Sequence, residues 1–162
     1  MVKVDVEKMD VGLSEKVREQ IAGMLFKVLS DDFVVYVKAR NYHWNVVGPH
    51  FKELHEFFQK VYEQIFEEID DVAERIRALG LKVPASMKNF LSETKLSETS
   101  EFLTDRQMLE SLLADYESMI RDIREYVGIA SSNKDEATAN FLAEILERKE
   151  KTAWMIRAML EK

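Results

Sequence analysis

The chain has 162 residues, enough for one domain with a real core; five glycines and two prolines are too few for an all-β fold, and 46% hydrophobic residues too many for a disordered chain. The absence of cysteine excludes disulfides, thiolate metal sites and cysteine nucleophiles, and it suits a reducing compartment, so a cytoplasmic location is expected. A net charge of −7 argues against the broad basic surface of a nucleic-acid binder.

Residues 1–12 form a short tail of mixed charge with no periodicity and no signal-peptide core, leaving 13–162 as one domain. From 13 to about 43 the pattern is helical, with Ile21, Leu25, Val28, Asp32, Tyr36, Ala39 and His43 on one face. Residues 45–49 break the pattern, and Pro49 suits the first turn of a second helix. That helix carries Phe51, Leu54, Phe58, Val61, Ile65, Ile69, Val72, Ile76 and Leu79 in steps of three or four, and stops at Gly80. Pro84 opens a loose link, in which residues 86–91 are expected to form a short helix.

Thr104 and Gln107 then read as a capping box, with Leu103 and Met108 as its hydrophobic staple. A third long helix follows through Leu109, Leu112, Leu113, Tyr116, Met119, Ile120, Ile123 and Val127. After a turn at 131–133, Asn133 and Glu136 predict the next cap, and the last helix carries Ala137, Phe141, Ile145, Ile156 and Leu160 on its apolar side. The whole is an all-α pattern of four long amphipathic helices. The ~24-residue link between the second and third is too long for a hairpin, so a four-helix bundle with a long crossover carrying a short helix is expected. No apolar run is long enough to span a membrane.

The histidines are His43, His50 and His55. None follows a Glu by three residues, so the Glu-x-x-His pairs of a metal site inside a helix bundle are absent. His43 closes the first helix, and the second carries His55, Asp70 and Glu74. Asp70 and Glu74 stand one turn apart and can chelate one cation. Two imidazoles and two carboxylates suit Fe(II) or Zn(II). Along one helix, however, His55 and Asp70 are ~22 Å apart. The four side chains form one site only if two chains share it.

The second helix has a second row that allows this: His55, Gln59, Tyr62, Phe66 and Asp70, with Ala73 and Glu74 beside it. Antiparallel pairing of the row with its own copy puts Tyr62 and Phe66 at the centre. Each His55 then meets the other chain's Asp70 and Glu74, as a two-fold axis requires. Plainer readings stand beside this one. The run Glu67, Glu68, Asp70, Asp71 and Glu74 is also what a solvated face looks like, Tyr62 and Phe66 suit a core, Trp44 and Trp154 suit packing, and His50 suits plain exposure.

The stretch Asn41-Tyr42-His43-Trp44-Asn45-Val46-Val47-Gly48-Pro49, then Phe51 and Leu54-His55-Glu56, then Asp70-Asp71-Val72-Ala73-Glu74-Arg75-Ile76, resembles the Dps family, the miniferritins of the ferritin-like superfamily. Asp135, Thr138 and the 150–155 segment fit as well, so the resemblance covers about residues 12–160. It implies a ferritin-like four-helix subunit, a homo-oligomer in the form of a hollow dodecamer, and a ferroxidase. Such a protein oxidises Fe(II), typically with hydrogen peroxide, and stores ferric mineral, protecting the cell from oxidative stress. The implied metal ligands are His43 and His55 from one subunit and Asp70 and Glu74 from its mate, with Trp44 beside the centre. By the same resemblance Asp135 and Glu144 lie near a three-fold channel.

Two departures qualify the resemblance. Gln59 stands where many members carry Asp or Glu; a neutral amide is a weaker ligand for a hard cation, which leaves the second iron position open and allows Zn(II) or Mn(II) in place of iron. The tail sets Lys3 and Lys8 against Asp5, Glu7 and Asp10, where members that bind DNA directly often have a Lys/Arg-rich tail. DNA binding is therefore expected to be weak or absent. The alternative reading is a DNA-condensing or structural Dps-like cage with a degenerate metal site.

Overall fold

The Ser14 side chain accepts a hydrogen bond from the Val17 N–H and so opens the first helix, α1. The computed structural model describes residues 6–161, and α1 runs Glu15–Asn45, α2 Phe51–Ala78, α3 Met87–Glu93, α4 Asp105–Ser132 and α5 Glu136–Leu160. The capping box at Thr104 and Gln107 is formed. Gly80 ends α2 at φ +82°, a left-handed conformation that favours glycine, and a Cβ there would also displace the tips of Met9 and Arg18. Pro49 lies in the turn before α2, whose cap position is His50. Asn133 closes α4 and does not open α5; Asp135 caps α5, accepting from the Thr138 N–H at 3.0 Å.

α1 lies along α2, and α4 along α5. The link from 79 to 104 follows α1 from one end to the other. Leu79 accepts from Arg18, Phe90 stacks on Phe33 at 4.1 Å, Thr94 donates to Asp31, and the Tyr42 and Thr99 hydroxyls meet at 3.1 Å. A connection that traverses the full bundle is the expected crossover, with α3 as its short helix. Residues 6–9 are tied to the end of α2, where the Glu7 N–H donates to Gly80 and the Glu7 carboxylate pairs with Arg77. Residues 1–5 of the expected tail lie outside the described residues. None of the described helices is long and apolar enough to cross a membrane.

The expected stripes of the first three long helices largely form the core, with Leu25, Val28, Ile65, Val72, Leu112 and Ile123 almost fully buried, while Phe51 at the start of α2 is exposed and Tyr36 half-buried. On α5 the buried face is turned from the expected one. Leu142, Ile145, Leu146, Ala153 and Ile156 point inward, while Phe141 and Leu160 are half-buried and Ala137 is exposed. Turning that face places Lys149 in the bundle interior, where its Nζ lies 2.9 Å from Asp32 and 2.5 Å from Glu68. One layer away Lys38 pairs with Asp115 at 2.5 Å. Burial alone would lower the pKa of Lys149, but the charges of Asp32 and Glu68 outweigh it and hold the pKa above the usual lysine range.

Candidate metal centre

The turn between α1 and α2 decides which side chains meet. Val46 is buried as a plug, and Gly48 takes φ +117°, a conformation closed to other residues. The chain then reverses, so that the last turn of α1 and the second turn of α2 lie side by side. This puts His43 next to His55, with ring centroids 3.7 Å apart and planes tilted by 20°.

The pair is held by reciprocal hydrogen bonds. His43 Nδ1 donates to the His55 carbonyl and His55 Nδ1 to the His43 carbonyl, each at 2.8 Å. A carbonyl oxygen only accepts, so the proton of each neutral ring is on Nδ1 and the lone pair is on Nε2. Backbone contacts of this kind fix the tautomer and orientation of a metal-binding histidine. Tyr62 packs edge-on against His43 at 5.3 Å, Phe51 packs against His55 at 5.1 Å, and the Arg40 guanidinium covers the Tyr62 ring at 4.2 Å. One wall of the site is therefore aromatic and rigid.

Asp70 and Glu74 are exposed on the same helix as His55, and α2 is unbroken between them. The spacing of ~22 Å or more therefore holds within one chain. Among the described residues no group of three or more His, Cys, Asp or Glu is placed to hold a metal ion. One chain thus brings together His43 and His55 and leaves Asp70 and Glu74 apart from them. Gln59 is half-buried one turn beyond His55, and its amide donates to Glu63 at 2.7 Å. Glu63 stands one turn after Gln59, and that spacing is the sequence signal for this contact.

Large apolar side chains are exposed beside the pair and farther along α2: Trp44 is 66% exposed next to His43, and Phe66, three turns beyond His55, is 64% exposed. Glu68, grouped in the sequence with the acidic run, is instead buried in the bundle. Asp135 is also buried, with its oxygens accepting from the Thr138 amide and hydroxyl and pairing with Arg75, whereas Glu144 is exposed.

The ferritin-like domain family matches residues 23–162. DNA protection during starvation protein 2 of Bacillus anthracis is 38% identical over 142 residues, covering 88% of this chain and 97% of that one. The chain belongs to the Dps family of ferritin-like proteins. Among solved structures, the archaeal Dps homologue of Halobacterium salinarum matches with a TM-score of 0.92 at 32% identity, covering 98% of this chain and 89% of that one. The Dps protein of Vibrio cholerae, described as a member of a broad superfamily of ferritin-like diiron-carboxylate proteins, matches with a TM-score of 0.91 at 26% identity, covering 97% and 99%. Dps membership places this chain among the miniferritins, a family of iron storage and protection.

Proposed function

We propose that this Dps protein oxidises Fe(II) at centres shared across a two-fold axis and keeps the ferric product inside a dodecameric cage. The reciprocally bonded His43–His55 pair carries the reading. It offers two oriented Nε2 donors on an otherwise incomplete site. Two imidazoles leave an Fe(II) ion short of ligands and of negative charge. Asp70 and Glu74 of the second subunit supply both when the α2 rows pair antiparallel about an axis between residues 62 and 65. The exposed Phe66 and half-buried Tyr62 then cover each other at the centre, which removes apolar surface from water.

In the reaction, hydrogen peroxide accepts one electron from each of two Fe(II) ions. Its O–O bond breaks, two protons are taken up, and two water molecules leave. The two Fe(III) ions then hydrolyse and pass to the mineral. The protein contributes ligands, negative charge and an enclosed volume. A cysteine-free chain suits such work in a reducing cytoplasm.

Stopped-flow measurement of Fe(II) oxidation under peroxide tests the reading. The parent is expected to turn over. Gln59→Asp is expected to bind Fe(II) several-fold more tightly and oxidise it faster, because it adds a hard anionic ligand one turn from His55. An unchanged rate and affinity would mean that the centre works through Gln59 and its Glu63 partner as they stand.

DNA binding is expected to be weak. The net charge is −7, and the described part of the tail is held against α2. In a gel shift at ~0.15 M salt, where the Debye length is ~8 Å, the cage is expected to leave DNA unretarded. A robust shift at that salt would favour the DNA-condensing alternative.

A further inference from the structure

The bundle interior holds a polar layer to which every long helix contributes one side chain: Asp32 from α1, Glu68 from α2, Tyr116 from α4 and Lys149 from α5. All four are buried to within about 1% exposure. The Lys149 ammonium stands between the carboxylates, 2.9 Å from Asp32 Oδ1 and 2.5 Å from Glu68 Oε1. Arg148 reaches the other Glu68 oxygen at 3.5 Å from the rim, which balances the charge. Asp32 Oδ2 and the Tyr116 hydroxyl have no hydrogen-bond partner among the described residues, and neither Glu68 oxygen has one beyond its ion-pair contacts. The layer therefore has more oxygen donors than its one ammonium uses.

Such an arrangement is costly. Desolvating two carboxylates and an ammonium generally exceeds what their attraction returns, and an apolar layer of the same volume would do as well for stability. Inward-pointing carboxylates from facing helices are also what ferritin-like diiron-carboxylate bundles use to hold metal. A cation at the Lys149 Nζ position has a carboxylate oxygen on each side, at 2.5 and 2.9 Å, close to the ~2.3–2.6 Å of a large divalent ion, and a smaller one needs the two side chains to draw in by roughly half an ångström or more.

We infer that the Lys149 ammonium is a built-in substitute for a bundle metal ion, closing the interior to divalent cations and leaving metal binding to the His43–His55 pair. Lys149 is thus a residue that decides where this protein takes up metal. The first part concerns the bundle alone. The second rests on the reading under Proposed function, and the test below does not use iron oxidation, so the two can fail separately.

The test is equilibrium dialysis with Co(II), combined with thermal unfolding with and without the metal. In the parent, Asp32→Asn is expected to leave the number of bound Co(II) ions unchanged. Lys149→Ala removes the ammonium and vacates its volume, and is expected to bind one additional Co(II) per chain. That ion is expected to raise the variant's unfolding midpoint and to be lost, with at least a tenfold fall in affinity, when Asp32→Asn is added to Lys149→Ala. If Lys149→Ala does not fold alone, refolding with Co(II) gives the answer. Recovery that depends on Co(II) supports the inference, and failure with and without it overturns it. A folded Lys149→Ala that takes up no additional ion also overturns it, as does a parent that loses a Co(II) ion on Asp32→Asn.

Discussion

Lys149→Met is expected to lower the unfolding free energy by ~3–5 kcal/mol, the usual cost of leaving buried charges unpaired. Methionine fills most of the lysine's volume, so little of that loss is a cavity effect. What remains is Asp32 and Glu68, both fully buried, with Lys149 gone from between them and only Arg148, at 3.5 Å from Glu68, to offset two charges. For a chain of this size the unfolding midpoint should fall by roughly 6–20 °C. Adding Asp32→Asn and Glu68→Gln removes the charges and should restore most of it. The pH dependence has a definite sign. Lys149 keeps its proton to higher pH in the folded chain than a free lysine does. Burial raises the Tyr116 hydroxyl in the same way, above the ordinary tyrosine value of 10.0. The unfolded chain releases these protons first, so the contribution of these two groups to folding stability is full below about pH 10 and falls as the pH rises beyond it. Lys149→Met should flatten the lysine part of that fall. Thermal melts from pH 7 to 12 give both numbers, and a variant within ~1 kcal/mol of the parent would show that the ion cluster is not what holds the four helices in register.

Much of this molecule was legible in its sequence because its helices are long and their stripes regular. The 51–79 row has steps of three or four throughout, and it is α2 to within a residue. Thr104 and Gln107 formed the cap that their spacing requires. Asn133 misled because a polar residue near a turn fits either end of a helix, and Asp135 two residues on was the better acceptor for Thr138. The buried ion cluster was missed because charged residues were read as surface. The signal was present. Glu68 sits three residues after Ile65 and four before Val72, and Lys149 sits four after Ile145, so both interrupt an apolar stripe. Asp32 had been placed on the inner face, but its partner could not be found by periodicity, because the pairing is between α1 and α5, 117 residues apart.

The candidate centre was legible in a different way. Spacing brought His43 near the turn and His55 one turn into the next helix, and the fold stacks them. Their locking through each other's carbonyl oxygen was not readable, since it depends on how the 46–50 turn sets one helix end against the other. The distance between His55 and Asp70 was readable, because a helix is a ruler of ~1.5 Å per residue. That distance is what turns a list of ligands into a statement about two subunits.

Co-assembly of two single variants tests that statement most directly. His55→Ala and Asp70→Ala should each fall to a tenth or less of the parent's peroxide-dependent Fe(II) oxidation, because every centre then lacks a ligand. In a mixed two-fold pair, one centre takes His55 from the Asp70→Ala chain and Asp70 from the His55→Ala chain, and is complete; the other lacks both. Random one-to-one assembly makes half of the pairs mixed, so about a quarter of the centres are restored. Refolding the variants together should recover activity of that order, and mixing them after assembly should recover none. Mixed pairs that form, as shown by a tag on one variant, yet stay inactive would contradict a centre shared between subunits.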